Sequence, residues 1–255
     1  MNNLHQVKTN EVVQVWPLFM AFQYDSILDA VIHGYHGAIY TDSLNQPTFV
    51  MGIFSDIVYL SGNPNDSIIN NVLEKLPLYG EVHCSSQWVD VLTNQGVVLK
   101  SFTRYEMNHE TIELAPIQEI IDQGVKGAIV KRIDYNLYDE IMAASWSKSL
   151  CENFESYKAF STHAFGYVVI VDETIVSGTS SFARFNGGLE IEIVTHEHYR
   201  KKGYATLSAA YFIKECLSKS LIPHWDAANQ MSKNLAEKLG YTLLRSYQVY
   251  EVISK

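Results

Sequence analysis

The alternation of apolar and polar positions predicts strands over residues 37–41, 48–54 and 57–61, because a half-buried strand turns every second side chain to the core. A helical period follows over 66–76, then a short strand over 80–84, a helix over 86–95 and a long strand over 97–107. Asp66 and Ser86 suit helix N-caps, and Gly96 suits the left-handed position just past a helix end. The same order returns downstream, with strands over 166–171, 174–185 and 189–195, a helix over 203–219, a strand over 222–225, a helix over 230–239 and a last strand over 241–253. Asp172-Glu173 and Asn186-Gly187-Gly188 are turn sequences that join the first three of these as hairpins. Ahead of the second set stand a strand over 127–133, a helical stretch over 135–147 and a less regular one over 151–160. Strand-strand-strand-helix-strand-helix-strand therefore occurs twice, with residues 113–123 as the joint. The expected architecture is a duplicated α/β (α+β) unit with a mixed, mostly antiparallel sheet, divided into a first lobe over 1–122 and a second domain over 123–255.

Charge narrows the partners. Acidic residues outnumber basic ones by 28 to 19, and a net charge of −9 offers no broad cationic face to a phosphate backbone, so nucleic acid is not expected. Met1-Asn2-Asn3-Leu4-His5 lacks the basic stretch and apolar run of a secretory signal, and no later segment reaches about 18 uninterrupted apolar residues. The expectation is a soluble cytoplasmic protein with no membrane contact, for which a homodimer stays open. Cys84, Cys151 and Cys216 lie far apart in apolar or mixed segments, which reads as buried free thiols. His196 and His198 stand one residue apart with no third ligand nearby, so surface histidines are expected there rather than a metal site.

The segment that carries chemistry runs from Ile191 to Thr206. An apolar strand stops, a polar loop turns, and a helix starts at a glycine with the spacing Arg200-x-x-Gly203-x-Ala205. A helix start has unpaired N–H groups and a partial positive charge, so chain wrapped around it can hold a pyrophosphate. At Gly203 a Cβ would block the approach of phosphate to the backbone, and Ala205 keeps the next turn small. A basic surface helix start would show the same spacing.

Residues 229–241, from Asn229 through Ser232 and Ala236 to Leu239-Gly240-Tyr241, resemble the second signature of the GNAT superfamily of acyltransferases, in which an Asn opens a helix that closes on Leu-Gly and an aromatic residue. Both signatures come in the right order. A narrower resemblance, to the GNAT acetyltransferases grouped with the zwittermicin A resistance protein, rests on Phe165-Gly166-Tyr167, Ser177-Gly178-Thr179-Ser180-Ser181, Glu190-Ile191-Glu192-Ile193 and residues 223–229, with Gly37-Ala38-Ile39-Tyr40-Thr41-Asp42 in the first half.

The resemblance implies a GNAT fold in the second half, a GNAT-like first lobe and acetyl-CoA as co-substrate with no metal. It further implies that the backbone of Ile193, Val194 and Thr195 pairs with the pantetheine arm, while Arg200, Lys201, Lys202, Gly203, Tyr204, Ala205 and Thr206 cradle the pyrophosphate. Asn229, and more weakly Ser232, would touch the pantetheine or acetyl region. The acceptor is a small-molecule amine, and since an alkylamine with pKa near 10.4 is mostly protonated at neutral pH, a base is required. Glu192 is the first candidate and Glu190 the second, both on the strand entering the loop. Many relatives carry a Tyr seven residues after the Asn to protonate the thiolate, whereas this chain has Ala236. Tyr204, Tyr241 and Tyr247 are better read as core aromatics. Residues 61–66 hold no cation and no helix-starting glycine, so the first lobe is expected to bind no pyrophosphate. A non-catalytic acyl-CoA sensor and a transferase of another acyl group are the alternatives.

Overall fold

The computed structural model describes residues 4–255; Met1-Asn2-Asn3, read above for the absence of a signal, lie outside the described residues. Two compact units emerge, one of residues 4–104 with 247–255 and one of residues 105–246. Each is built on its own run of strands.

The first unit contains β1 (His5–Val7), α1 (Val12–Val15), α2 (Ser26–Ile32), β2 (Ala38–Thr41), β3 (Phe49–Phe54), β4 (Ile57–Gly62), α3 (Ile69–Lys75), β5 (Glu81–Cys84), α4 (Ser86–Asn94) and the first part of β6 (Val98–Asn108). Its strands follow the order β1-β2-β3-β4-β5, antiparallel up to β4 and parallel between β4 and β5. The strand beyond β5 comes from the far end of the chain: Tyr250 and Glu251 pair antiparallel with Val82 and Glu81. Val252 from this strand is fully buried among Phe49, Val58, Leu60, Val72, Val82 and Trp88, so the core of this unit is completed by a strand distant from it in sequence.

The second unit contains α5 (Leu114–Gln123), β7 (Ile129–Arg132), α6 (Tyr135–Ala143), α7 (Tyr157–His163), β8 (Gly166–Val171), β9 (Thr174–Phe185), β10 (Gly188–Thr195), α8 (Tyr204–Ser218), β11 (Ile222–Ala227), α9 (Gln230–Lys238) and the start of β12 (Thr242–Ser254). Its strand order is β7-β8-β9-β10-β11-β6, with β10 and β11 parallel and residues 105–107 of β6 antiparallel on β11. One face packs α6 and α7 through Leu137, Tyr138, Ile141, Phe160 and Val168. The other packs α5, α8 and α9 through Ile117, Ala209, Ile213, Trp225, Ala236 and Leu239. Thr179 on β9 and Ser208 on α8 share a buried hydroxyl bond of 2.8 Å, which fixes the long helix against the sheet.

The repeated element order read from the sequence is therefore present, with antiparallel, antiparallel, parallel and antiparallel pairings in both units. The division of the chain differs from a cut at 122/123. Ile117 of α5 is buried against α8 and α9, which draws residues 105–122 into the second unit, and residues 247–255, most of the final strand, sit in the first.

Local differences have local causes. Asp66 is not an N-cap: Asn65 Oδ1 accepts the Ser67 N–H at 3.1 Å, holding residues 65–67 in a turn, and α3 begins at Ile69. Ser86 is the first helical residue of α4, and Ser85 stands at its N-cap. Gly96, with φ of +88°, does close that helix. The helix over 135–147 stops at Ala143, where the Ser147 hydroxyl takes the Ile141 carbonyl at 3.0 Å. The next helix starts only at Tyr157, after Ser156 accepts the Ala159 N–H. Residues 4–36, which carry β1, α1 and α2, show no alternation strong enough to have been read in advance.

Placing a charge at Val252 puts it in a closed apolar core without a partner. Val252→Asp is expected to cost about 3 kcal/mol or more. Denaturant unfolding measures the loss, and amide exchange in β4 and β5 should rise with it.

Candidate functional site

β10 and β11 start side by side and then part. Gly188, Leu189 and Glu190 pair with Ile222, Pro223 and His224, and there the ladder ends. The closed end needs a glycine, because a Cβ on residue 188 would stand 2.6 Å from the Ile222 carbonyl oxygen and 2.3 Å from the Phe185 ring. Past the third pair β11 continues on β6 alone, as Trp225, Asp226 and Ala227 pair with Met107, Glu106 and Tyr105. β10 continues on β9 alone through Thr195. At the parting, Ala183 lies opposite Glu190 and Ser181 opposite Ile191, so Phe182 is an extra residue that bends β9. The bulge is on β9, and alternation along β10 is unbroken. Ile191 and Ile193 pack with the α8 and α9 cluster, Val194 packs with α6 and α7, and Glu190 and Glu192 share the Val194 face. Residues 191–195 are half-buried, and the side of β10 turned toward β11 is an open strand edge.

Glu190 is only 4% exposed. Its Oε2 accepts from His224 Nδ1 at 2.5 Å and its Oε1 from the Asp226 N–H at 3.1 Å. His224 Nε2 stands 3.9 Å from Glu106, whose other oxygen receives Arg245. Burial pulls the His224 imidazole down, but the Glu190 charge, hydrogen bonds to Glu106 and Glu190, and the Asp226 charge outweigh it and hold His224 well above the usual 6.5. Burial raises Glu106, yet the bonds and charges of His224 and Arg245 leave its carboxyl below the usual range.

The open edge leads into the loop. His196 follows β10, its ring edge-on to Trp146 at 5.2 Å, and residues 197–199 form one tight turn. Arg200 Nε donates back to the Thr195 carbonyl at 3.3 Å, and Lys202 lies over the Tyr199 ring. Lys201 and Gly203 have φ of +62° and +87°. Left-handed residues in such a loop turn main-chain N–H groups toward one point, and Gly203 is the residue type this conformation favours. No side chain caps α8, so the donors of its first turn, at Tyr204, Ala205 and Thr206, face the loop. Unpaired helix-start donors, a left-handed glycine and three cations make a donor set that fits a pyrophosphate.

Asn229 stands at the N-cap of α9, its Oδ1 accepting the Ser232 N–H at 3.0 Å. Ser232 Oγ accepts from Trp225 Nε1 at 3.0 Å, which links α9 to the parted end of β11. Ala236 is fully buried in the core. Tyr204 and Tyr241 are buried as well, with the Tyr241 hydroxyl on the Pro223 carbonyl, and Tyr247 lies in the first unit, its ring 6.0 Å from that of His83. The three cysteines are free thiols, Cys151 and Cys216 buried and Cys84 half-buried. Among the described residues no group of three or more His, Cys, Asp and Glu is placed to hold a metal ion, and no helix is long and apolar enough to cross a membrane.

Within the second unit Glu190, Glu192 and residues 193–195 lie on β10, residues 200–206 on the loop and first turn of α8 that follow it, and Asn229 and Ser232 at the start of α9, which follows β11. Sequence reasoning gave no role to His224, Glu106 and Arg245. A signal existed: His83 and His224, and likewise Arg104 and Arg245, are 141 positions apart. In the first unit His83 is bound to Glu81 at 2.5 Å and Arg104 to the same carboxylate at 2.8 Å. The corresponding strands there stay together longer, as Ile57 to Leu60 pair with Glu81 to Cys84. The end of β4 is then filled by Trp88, fully buried, whose Nε1 donates to the Gly62 carbonyl at 3.0 Å.

A parted parallel pair opening onto an uncapped helix start is the arrangement that the resemblance to GNAT acyltransferases leads one to expect. The chain belongs to the GNAT acetyltransferase family, whose model matches residues 17–250, and it is an acetyltransferase. A GCN5-related N-acetyltransferase-like protein from Streptococcus suis 89/1591 is 31% identical, with a TM-score of 0.86 over 95% of this chain and 98% of that one. The uncharacterized N-acetyltransferase YdfB of Bacillus subtilis (strain 168) is 28% identical over 235 residues, 88% of each chain. A tandem GNAT protein from the clavulanic acid biosynthesis pathway shares the fold, with a TM-score of 0.57 at 10% identity over 98% of both chains.

Because His224 is raised in the folded chain, its charge adds stability that is complete below about pH 6.5 and is lost as pH climbs through the raised value. The stability difference between the wild type and His224→Gln is therefore expected to be largest near pH 6 and to shrink in alkaline solution. Thermal unfolding across pH measures it.

Proposed function

We propose that the protein is an acetyl-CoA-dependent N-acetyltransferase acting on the amine of a small molecule, with the donor held in the second unit between the parted strands. The observation that carries this reading is the open edge of β10 running straight into the uncapped start of α8. Ile193, Val194 and Thr195 would offer main-chain groups to the amides of the pantetheine arm, as a neighbouring strand would. Arg200, Lys201 and Lys202, with the N–H groups of Gly203, Tyr204, Ala205 and Thr206, would hold the phosphates. Asn229, which caps α9, and Ser232, bonded to Trp225, would border the same opening.

In this reading Glu192 is the base. Glu190 is 4% exposed at the last pair the two strands share, whereas Glu192 is half-buried on the same face two residues further along β10, where β11 has parted from it. Glu192 would take the proton of the acceptor ammonium, directly or through water, so that the nitrogen lone pair can attack the thioester carbon. The C–N bond forms as the C–S bond breaks, the thiolate leaves, and the proton still carried by the acylated nitrogen passes to the thiolate or to water, giving the neutral amide and free CoA thiol. Ala236 supplies no proton to the thiolate, which is tolerable because a thiol of pKa near 8.5 is a good leaving group. The antibiotic or polyamine-like acceptor implied by the zwittermicin A group belongs to this proposal, as do the one-donor stoichiometry and the lobes. The first unit would be a GNAT-like lobe that holds no donor, since Trp88 fills the end of its strand pair.

Calorimetry with CoA is expected to give one site per chain in the wild type and none in Gly203→Glu, which adds a negative side chain at a left-handed position of the loop while leaving the sheets intact. Two sites, or wild-type affinity in that variant, would remove the phosphate assignment.

For the base, Glu192→Gln keeps shape and hydrogen bonding but not basicity. Its kcat is expected to fall by about 10² to 10⁴ with CoA affinity nearly unchanged. Thiol release across an amine panel reads both this and the alternative of a sensor, which would bind CoA and release none.

A further inference from the structure

Glu190 takes no part in the transfer chemistry proposed above, yet it is a buried carboxylate placed at the last residue pair that β10 and β11 share. In a parallel ladder continued past Glu190 and His224, the N–H of Asp226 would turn to the main chain of β10. It donates instead to Glu190 Oε1, while His224 Nδ1 holds Oε2. A main-chain donor must find a partner, and here a side chain supplies it. The strands are thereby spared the pairing that would close the opening.

The first unit offers an internal comparison. At the corresponding position β4 carries Tyr59, opposite His83, and the Tyr59 hydroxyl is taken by Asp25 at 2.7 Å. No carboxylate from β4 reaches the main chain of β5 there, and the ladder goes on one pair further, to Leu60 and Cys84. Where the third residue is glutamate the strands part; where it is tyrosine they stay joined.

We infer that Glu190 is a positioning residue, a wedge that takes the Asp226 N–H and, clamped by His224, keeps β10 and β11 apart so that the edge of residues 191–195 stays open to the donor. Charged groups meet this wedge from three sides: His224 and Asp226 on β11, Glu106 on β6 with Arg245 behind it, and His109, which feels the His224 charge. The ion pair alone does not require this placement, since two well-packed apolar side chains would be about as stable. The diverted N–H does require it. The inference rests on the donor reading above for its consequence, and on the ligand-free chain for its geometry.

The test compares Glu190→Leu and Glu190→Gln by calorimetry with CoA on the full chain. Leucine removes the acceptor and is expected to weaken CoA binding by about tenfold or more in the folded fraction, whereas glutamine, which keeps an acceptor oxygen, should stay within about threefold of wild type. A residue that serves only stability would lower the unfolding temperature and leave the dissociation constant of folded protein unchanged. Wild-type affinity in Glu190→Leu, or glutamine as weak as leucine, would overturn the wedge. Should the leucine variant not fold, amide exchange on the wild type decides. Without CoA, the Asp226 amide should be protected and those of residues 191–195 not paired with β9 should exchange freely; an Asp226 amide that gains protection only when CoA is added overturns the inference. If the wild type binds no CoA at all, the donor reading fails, and the ligand-free exchange pattern still judges the wedge.

Discussion

The divergence of β10 from β11 after three residue pairs is the constraint on which the rest of the second unit depends. A sheet gains most by pairing every strand edge, and an interior edge left open must be held so by something that satisfies the groups it separates. Here the means are a bulged residue on β9, a second neighbour for β11 in β6, and the Glu190 carboxylate on the Asp226 N–H. The acids and bases that look like candidates for chemistry therefore divide by depth. Glu190, His224 and Glu106 form a low-lying chain of paired charges that ends on the exposed Arg245, and Glu192 is half-buried on the strand face of Glu190.

Seen this way, the two units are one plan carried to different ends. Both have a histidine on the short strand of the parallel pair, and both place an arginine 21 residues after it, His83 with Arg104 and His224 with Arg245. In the first unit the strand pair is longer and its mouth is occupied by an indole ring. In the second it is shorter, and a left-handed glycine starts the helix beside it.

Much of this was legible in the sequence because strand alternation and helix starts are local. Gly203, Ala205 and Asn229 announce themselves by spacing, and the Asn229 cap is where the sequence puts it. The Glu190 and Glu192 pair could be found but not sorted, since parity alone does not say which strand carries a bulge or that the Asp226 N–H, 36 positions away, reaches Glu190. The role of Glu106 was invisible for the same reason: it meets His224 only through β6, a strand that the linear order assigns to the other half of the chain. Asp66 and Ser86 misled because neighbouring Asn65 and Ser85 compete for the same turn.

The crossed assignment of the final strands has a consequence for how the protein is made. The first unit cannot finish its core until Val252 exists, so during synthesis residues 4–104 emerge with an unpaired β5 edge and wait for almost the entire remaining chain. The second unit, in turn, needs a strand that was translated before any of its own sheet. Both cores therefore close only through pairings between residues far apart in sequence, residues 81–82 with 250–251 and residues 105–107 with 225–227, so their contact order is high and folding is slow relative to a chain of local contacts.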